Sequence, residues 1–123
     1  MLELRNLTKR FSGIPAVDNV SFQASPGAVT GYLGPNGSGK STTVKMITGL
    51  LEPSDGQILW NGQVVGPEPT AFQSILGYVP EEPYLYSHLS GAEYLELTGE
   101  LRLIPGQRLR AKIEEFLRVF GLW

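Results

Sequence analysis

Residues 34–41 read Gly-Pro-Asn-Gly-Ser-Gly-Lys-Ser and match the phosphate-loop pattern G-x-x-x-x-G-K-[ST] at every fixed position. A β-rich run, residues 28–33, precedes the loop, and residues 42–48 follow it as a helical stretch that ends at Gly49. A strand, a glycine-rich loop and a helix are the setting in which this pattern has a physical mechanism. The sequence therefore predicts a strand–loop–helix unit whose loop binds phosphate.

The residue types of this loop suit an anion site. Its glycines let the backbone turn back on itself, so that successive N–H groups point at one spot, and the helix dipole adds positive potential there. Lys40 is predicted to reach the β- and γ-phosphates of a nucleotide, and the Ser41 hydroxyl to ligate Mg²⁺. A plain turn without a ligand needs neither three glycines nor a lysine at the helix start. The candidate nucleotide-binding residues here are Gly34, Pro35, Asn36, Gly37, Ser38, Gly39, Lys40, Ser41 and Thr42.

The composition is that of an ordinary globular domain. The 123 residues are 41% hydrophobic, and 10 basic against 12 acidic side chains give a net charge of −2. This balance leaves no electrostatic footprint for nucleic acid, so we expect no nucleic-acid partner. Cysteine is absent, which excludes disulfides and thiolate metal sites. The sequence has neither a signal-peptide pattern nor an apolar run of roughly 18 residues, so we expect a cytoplasmic protein.

Turn signals divide the remainder of the first eighty residues into strands. Alternating patterns predict strands over residues 2–7 and 17–24, joined through Gly13-Ile14-Pro15. Two β runs around Asn61-Gly62 predict a hairpin with a type I′ turn. A further strand is predicted over residues 75–79.

After Pro83 the periodicity becomes helical. Ser90 and Glu93 fit a capping box, which predicts a helix over about residues 91–103 that stops at Pro105-Gly106. A second helix is predicted over about residues 108–120. One face of this second helix is apolar and consists of Leu109, Ile113, Phe116, Leu117 and Phe120.

Four blocks of sequence stand out by their order and spacing, namely Leu7–Gly13 with the strand after it, residues 34–41, Gly49–Gly56 and Gly77–Glu82. In that order and spacing they resemble the N-terminal half of the nucleotide-binding subunit of ABC transporters. The likeness covers essentially the whole chain. It implies an α/β fold, a P-loop NTPase (RecA-like) core with an antiparallel β subdomain and the start of a helical subdomain, incomplete. In that scheme residues 1–80 are the β subdomain and phosphate-loop core, and residues 81–123 begin the helical subdomain.

The resemblance implies an ATPase that couples ATP binding and hydrolysis to membrane transport, most similar to exporters. Its implied ligands are ATP or ADP with Mg²⁺. Its implied partners are a membrane-spanning transporter subunit and a second ATP-binding subunit, with which it forms a dimer. Such a protein would lie on the inner face of the cell membrane, held there by its transporter partner.

Three further residues receive roles from the resemblance. Phe11 stands where the family stacks an aromatic side chain, usually tyrosine, on adenine, and Val17 where the family touches the ribose or the base edge. Glu81 replaces the family's usual glutamine, which ligates Mg²⁺ and helps position the attacking water, so Glu81 joins Lys40 as a catalytic candidate. Judged on sequence alone, Phe11 fits a core aromatic equally well, and Glu81-Glu82 fits a solvated pair in a loop.

A different class of protein also carries this phosphate loop, namely the N-terminal head of an SMC-like DNA maintenance ATPase. Such heads continue into a long coiled coil, whereas the helical stretches predicted here are short. The family's second acidic motif, its signature loop and its switch histidine are missing from these residues. We therefore expect the front part of a longer protein that binds nucleotide, hydrolyses almost none and associates with itself through an uncovered sheet edge.

Overall fold

The computed structural model describes all 123 residues of the chain and divides them into two units, Met1–Tyr78 and Val79–Trp123. The first unit begins with two long strands, β1 (Leu2–Phe11) and β2 (Ile14–Ala24), which pair antiparallel. None of the four helices in the chain combines the length and the hydrophobicity that crossing a bilayer requires.

The turn between β1 and β2 differs from the predicted one. It consists of Ser12 and Gly13 instead of Gly13-Ile14-Pro15, so both strands extend beyond their predicted ends. Ser12 and Gly13 have φ angles of 50° and 79°. Positive φ at both central residues is the backbone of a type I′ hairpin turn, and it leaves Ile14 free to pair with Phe11.

The predicted hairpin at Asn61-Gly62 is confirmed. β3 (Asp55–Trp60) and β4 (Gln63–Val64) pair antiparallel around these two residues, whose φ angles are 49° and 80°. β3 also pairs with β1, which gives an antiparallel sheet of order β2-β1-β3-β4.

A bulge in β1 explains how its apolar residues reach one core. Leu4 and Leu7 are three positions apart, so a regular strand would turn them to opposite faces. Asn6 between them has a φ of 50°, and the pairing register shifts there. The extra residue reverses the alternation, and both leucines become buried.

Helix α1 (Lys40–Ile47) follows the phosphate loop and packs on this sheet through Met46. The helix ends as predicted, because Gly49 adopts a φ of 82° beyond its C-terminus. The core beneath it consists of Leu4, Leu7, Val17, Met46 and Ile58.

Two predicted strands are absent. Residues 28–33 and 75–79 pair with no other strand, although their compositions favour β structure. A strand needs a neighbour for its N–H and C=O groups, and composition does not reveal whether one exists. A short helix that sequence reasoning missed, α2 (Thr70–Gln73), precedes the second of these stretches.

The second unit contains helices α3 (Gly91–Leu101) and α4 (Gly106–Val119). The predicted capping box is confirmed: the Glu93 amide donates to Ser90 Oγ at 3.2 Å, and the Ser90 amide donates to Glu93 Oε2 at 2.6 Å. Gly106 is the first residue of α4 and not part of a stop signal, with Pro105 at its N-cap.

The predicted apolar face of α4 is right in part. Leu109, Ile113 and Leu117 are buried and form the core of this unit, whereas Phe116 and Phe120 are largely exposed and stack on each other. The two helices approach closely where α3 carries a buried glycine. A Cβ at Gly99 would lie 2.8 Å from Cδ2 of Leu109, so only glycine fits beside this leucine without a shift.

Candidate functional site

The phosphate loop curls tightly, and its glycines make the curl possible. Gly37 and Gly39 have φ angles of 82° and 91°, in the left-handed region that favours glycine. A Cβ at Gly34 would lie 2.6 Å from Ser38 Oγ, so Ser38 folds back close to the start of the loop. The Ser38 amide donates to the Pro35 carbonyl at 3.1 Å and closes a turn inside the loop.

The N-terminus of α1 presents unpaired amides to this loop. The first intrahelical hydrogen bond runs from the Thr43 amide to the Gly39 carbonyl at 2.9 Å, so the amides of residues 40–42 precede the ladder. Gly39 is the N-cap and offers no side-chain acceptor, and the first turn holds no acidic residue. Nothing in the helix itself therefore competes with an external anion for these donors.

The side chain of Lys40 folds back over the loop. Its ammonium donates to the Gly34 carbonyl, so the positive charge of Lys40 lies at the start of the phosphate loop. An anionic oxygen is a stronger acceptor for an ammonium than a neutral carbonyl. The arrangement can therefore exchange an internal hydrogen bond for a charge-assisted one when an anion binds.

Strand β2 supports the loop from behind. A Cβ at Gly39 would overlap the carbonyl oxygen of Ala16 and would lie 3.1 Å from Cγ2 of Val17. Val17 is only 3% exposed and belongs to the core. The structure places Val17 in this core, beside Gly39, and its contact with a ribose or base stays a prediction.

Two residues outside the predicted site also reach the loop. The Thr43 hydroxyl donates to the Gly39 carbonyl at 2.9 Å and accepts a hydrogen bond from the Tyr32 hydroxyl at 3.3 Å. Sequence analysis missed both residues. A signal for Thr43 was present in the sequence, because Thr43 lies four residues after Gly39. A threonine hydroxyl in a helix can donate to the carbonyl four residues before it.

Phe11 lies at the end of β1 and is 47% exposed, so the alternative that it is a core aromatic is wrong. The Lys9 ammonium lies 5.4 Å from the centre of its ring and donates to the Glu52 carbonyl at 2.7 Å. One side of the ring thus faces a cation whose position is fixed by a second bond. The adenine-stacking role of Phe11 stays a prediction.

Glu81 is exposed and belongs to the second unit, as does its neighbour Glu82. Its predicted part in metal binding and in positioning water rests on the resemblance alone. No group of three or more His, Cys, Asp or Glu residues that could hold a metal ion occurs in the chain. Mg²⁺ would thus need further oxygens besides the exposed Ser41 hydroxyl, and nucleotide phosphates carry such oxygens.

Comparison with known families gives one match that spans most of the chain. The family profile described as ABC transporter matches residues 17–123. One relative, the ABC-type transporter ATP-binding protein EcsA of Bacillus subtilis, is 35% identical over 122 residues. The alignment takes in 99% of this chain and 49% of EcsA, so the chain spans about half the length of that relative.

Solved structures agree with the sequence match. A structure described as the ATP-binding subunit of an ABC transporter superposes with a TM-score of 0.85 and 32% identity, over 99% of this chain and 51% of that one. The dimeric post-hydrolysis structure of the ATP-binding cassette MJ0796, bound to ADP and Pi, superposes with a TM-score of 0.79 and 27% identity. This match covers 96% of the present chain and 56% of MJ0796. These matches bear out the fold class inferred from the sequence, and they lend no support to the SMC-like alternative.

Proposed function

The chain belongs to the ABC transporter family, and on that basis we propose that residues 34–41 bind the phosphates of ATP or ADP. The observation that carries the proposal is the geometry of this loop. It curls through left-handed glycines onto the N-terminus of α1, whose first amides have no acceptor within the helix. Aligned N–H groups and the helix dipole favour an anion at this point.

In this proposal Lys40 and Ser41 complete the phosphate site. The Lys40 ammonium leaves the Gly34 carbonyl and pairs with the β- and γ-phosphates, because the charged acceptor is stronger. The Ser41 hydroxyl, exposed in the first turn of α1, ligates Mg²⁺ together with phosphate oxygens. Bound Mg²⁺ would neutralise charge that develops on the phosphates during hydrolysis.

Phe11 supplies the base contact in the proposed site. Its half-exposed ring has the Lys9 cation on one side, and the other side offers a flat apolar surface on which adenine stacks. β1 and β2 connect this ring to the loop, because Phe11 ends β1 and the Ala16–Val17 segment of β2 lies against Gly39.

The activity of the whole protein is part of the same proposal. The chain is one part of the ATP-binding component of a transporter, and the whole component couples ATP binding and hydrolysis to transport across a membrane. Its partners are a membrane-spanning subunit, which holds it at the inner face of the membrane, and a second ATP-binding subunit. Support for the second partner comes from the cassette MJ0796, which is dimeric with ADP and Pi bound.

We further propose that these 123 residues alone hydrolyse ATP at close to the background rate. Phosphoryl transfer requires a positioned water and neutralised charge together. None of the 12 acidic residues follows four consecutive strand-like apolar residues, the pattern of the family's second acidic motif. Phosphate release should therefore stay near the protein-free level, and a Lys40-dependent turnover near about 1 s⁻¹, the low end for enzymes, would contradict this part of the proposal.

Calorimetric titration with ATP and Mg²⁺ tests the binding site. Lys40→Ala should weaken binding by roughly 1.5–3 kcal/mol, the range for a hydrogen bond to a charged group. The matched control is Lys45→Ala, which removes an exposed lysine from the last turn of the same helix and should leave the affinity unchanged. Equal losses in both variants, or none in either, would overturn the assignment of the loop.

A further inference from the structure

Two hydroxyl groups outside the phosphate loop form a hydrogen-bonded chain that ends on its last glycine. The Tyr32 hydroxyl donates to Thr43 Oγ1 at 3.3 Å, and Thr43 Oγ1 donates to the Gly39 carbonyl at 2.9 Å. Thr43 is 1% exposed, so water does not substitute freely for either bond. The Tyr32 ring is fixed as well, because its centre lies 5.2 Å from that of Phe22, which packs on the core.

The end of this chain is the peptide group that carries the Lys40 amide, one of the three amides that precede the first hydrogen bond of α1. The carbonyl of Gly39 and the N–H of Lys40 belong to one planar unit, so whatever orients the carbonyl also orients the N–H. On the other side of Gly39 lie the Ala16 carbonyl and the Val17 side chain. The peptide is thus held between β2 on one side and Thr43 on the other, where the Thr43 amide and the Thr43 hydroxyl both donate to the Gly39 carbonyl.

We propose that Tyr32 and Thr43 are positioning residues of the phosphate site, whose linked hydroxyls hold the Gly39–Lys40 peptide with its N–H directed at a phosphate oxygen. Neither side chain contacts the nucleotide in this scheme. The inference rests on the proposed function, because it assigns these hydroxyls an effect on nucleotide affinity. A purely structural pair would affect the stability of the chain and leave that affinity unchanged.

The test compares hydroxyl deletions that keep the shape of the side chain. Tyr32→Phe retains the ring contact with Phe22 and should lower the affinity for pyrophosphate and for ATP–Mg²⁺ roughly threefold, within the range for one neutral hydrogen bond. Thr43→Val should lower it further, up to about tenfold, because two bonds are lost. Thr43→Ser keeps the hydroxyl and should restore most of the wild-type affinity.

Two further variants separate this chain of hydroxyls from general effects. The double variant Tyr32→Phe/Thr43→Val should bind like Thr43→Val alone, since Tyr32 acts through Thr43. Tyr78→Phe is the matched control, because Tyr78 has almost the same exposure as Tyr32, 39% against 38%, and makes no hydrogen bond to Thr43 or to the loop. Its affinity should equal that of the wild type.

Calorimetry and amide hydrogen exchange on the 123-residue chain together decide the matter. If the wild type binds pyrophosphate and Tyr32→Phe binds equally well, the inference is overturned. If the wild type binds neither pyrophosphate nor ATP, the proposed function fails instead. In that case the hydrogen-exchange rate of the Thr43 amide in the free chain tests whether the two hydroxyls hold the loop. Faster exchange in Tyr32→Phe than in Tyr78→Phe supports that positioning, and equal exchange overturns it.

Discussion

The phosphate loop, residues 34–41, and the segment before it, residues 28–33, are neighbours in the chain but differ in where their partners lie. The loop forms its bonds with residues close in sequence, such as the Ser38 amide with the Pro35 carbonyl and the Lys40 ammonium with the Gly34 carbonyl. The preceding segment pairs with no strand, and Val29 and Leu33 expose nearly their whole side chains.

The difference shows which kinds of structure a short sequence can determine. A turn, a cap or a glycine loop carries most of its donors and acceptors within a few residues, so much of its structure can be predicted from the adjacent sequence. The N–H and C=O groups of a sheet strand find their hydrogen-bond partners on a second segment, which can be distant in the sequence. Substitutions in the two regions should therefore have unequal effects, and the following predictions test that expectation.

The largest difference is expected between two leucines. Leu7→Ala removes a fully buried side chain and should lower the free energy of unfolding by about 2–5 kcal/mol. Leu33→Ala, at a position that is 93% exposed, should change it by less than about 0.5 kcal/mol. Urea unfolding at several protein concentrations measures both. A large, concentration-dependent loss for Leu33→Ala would mean that segment 28–33 is covered by another copy of the chain.

A second pair of variants compares glycines in the same two regions. Gly39→Ala places a Cβ against the Ala16 carbonyl at a φ of 91°, and should destabilise the chain by about 1–3 kcal/mol. Gly31→Ala meets nothing within 4 Å and has no positive φ, so its stability should match that of the wild type. Thermal unfolding of both variants checks this, and equal stabilities would show that the loop relaxes without cost.

A third prediction extends the comparison to the β1–β2 hairpin, another locally determined element. Phe11→Ala should weaken ATP binding by roughly 0.5–1.5 kcal/mol, the scale of aromatic stacking, and leave binding of inorganic triphosphate unchanged. Phe116→Ala is the control, because Phe116 is also 47% exposed but lies on α4 in the second unit. Equal losses for ATP and triphosphate in Phe11→Ala would argue against a base contact.

The smallest expected effect concerns the capping box of α3. The Ser90 backbone amide, which donates to the Glu93 carboxylate, holds the pKa of Glu93 below its usual value of 4.5, and the Ser90 hydroxyl acts in the same direction. A pKa that is lower in the folded state adds stability above about pH 4.5, and this stability is lost as the pH falls through the folded value.

Glu93→Gln should therefore lower the melting temperature slightly at pH 7, and the difference from the wild type should shrink well below pH 4.5. Glu96→Gln, on the same helix but beyond its first turn, serves as the control. A difference for Glu93→Gln that stays constant with pH would mean that the charge of this carboxylate does not contribute.

The sequence predicted those parts of the chain whose causes are local. The loop 34–41 and its helix, the Asn61-Gly62 hairpin and the Ser90 cap each follow from a few adjacent residues, and each is present. The Ser12-Gly13 turn is also local, but the sequence predicted it one residue further along, at Gly13-Ile14-Pro15.

Other features depend on distant residues and could not be predicted in this way. The burial of both Leu4 and Leu7 depends on a bulge at Asn6, which alternation alone does not reveal. The hydrogen-bonded chain from Tyr32 to Gly39 requires knowing that the 28–33 segment passes beside α1. The roles of Phe11, Val17 and Glu81 came from family resemblance, and they stay predictions.

The tight approach of α3 and α4 at Gly99 has a consequence for sequence variation. Since the end of the Leu109 side chain occupies the space that a Cβ at position 99 would need, a larger residue at position 99 requires this side chain to shift or to become smaller. A relative with alanine or serine at position 99 should carry a smaller residue, such as valine or alanine, at position 109. Gly99→Ala should likewise be tolerated better together with Leu109→Val than alone, so the two sites form a reciprocal pair that sets the spacing of these helices.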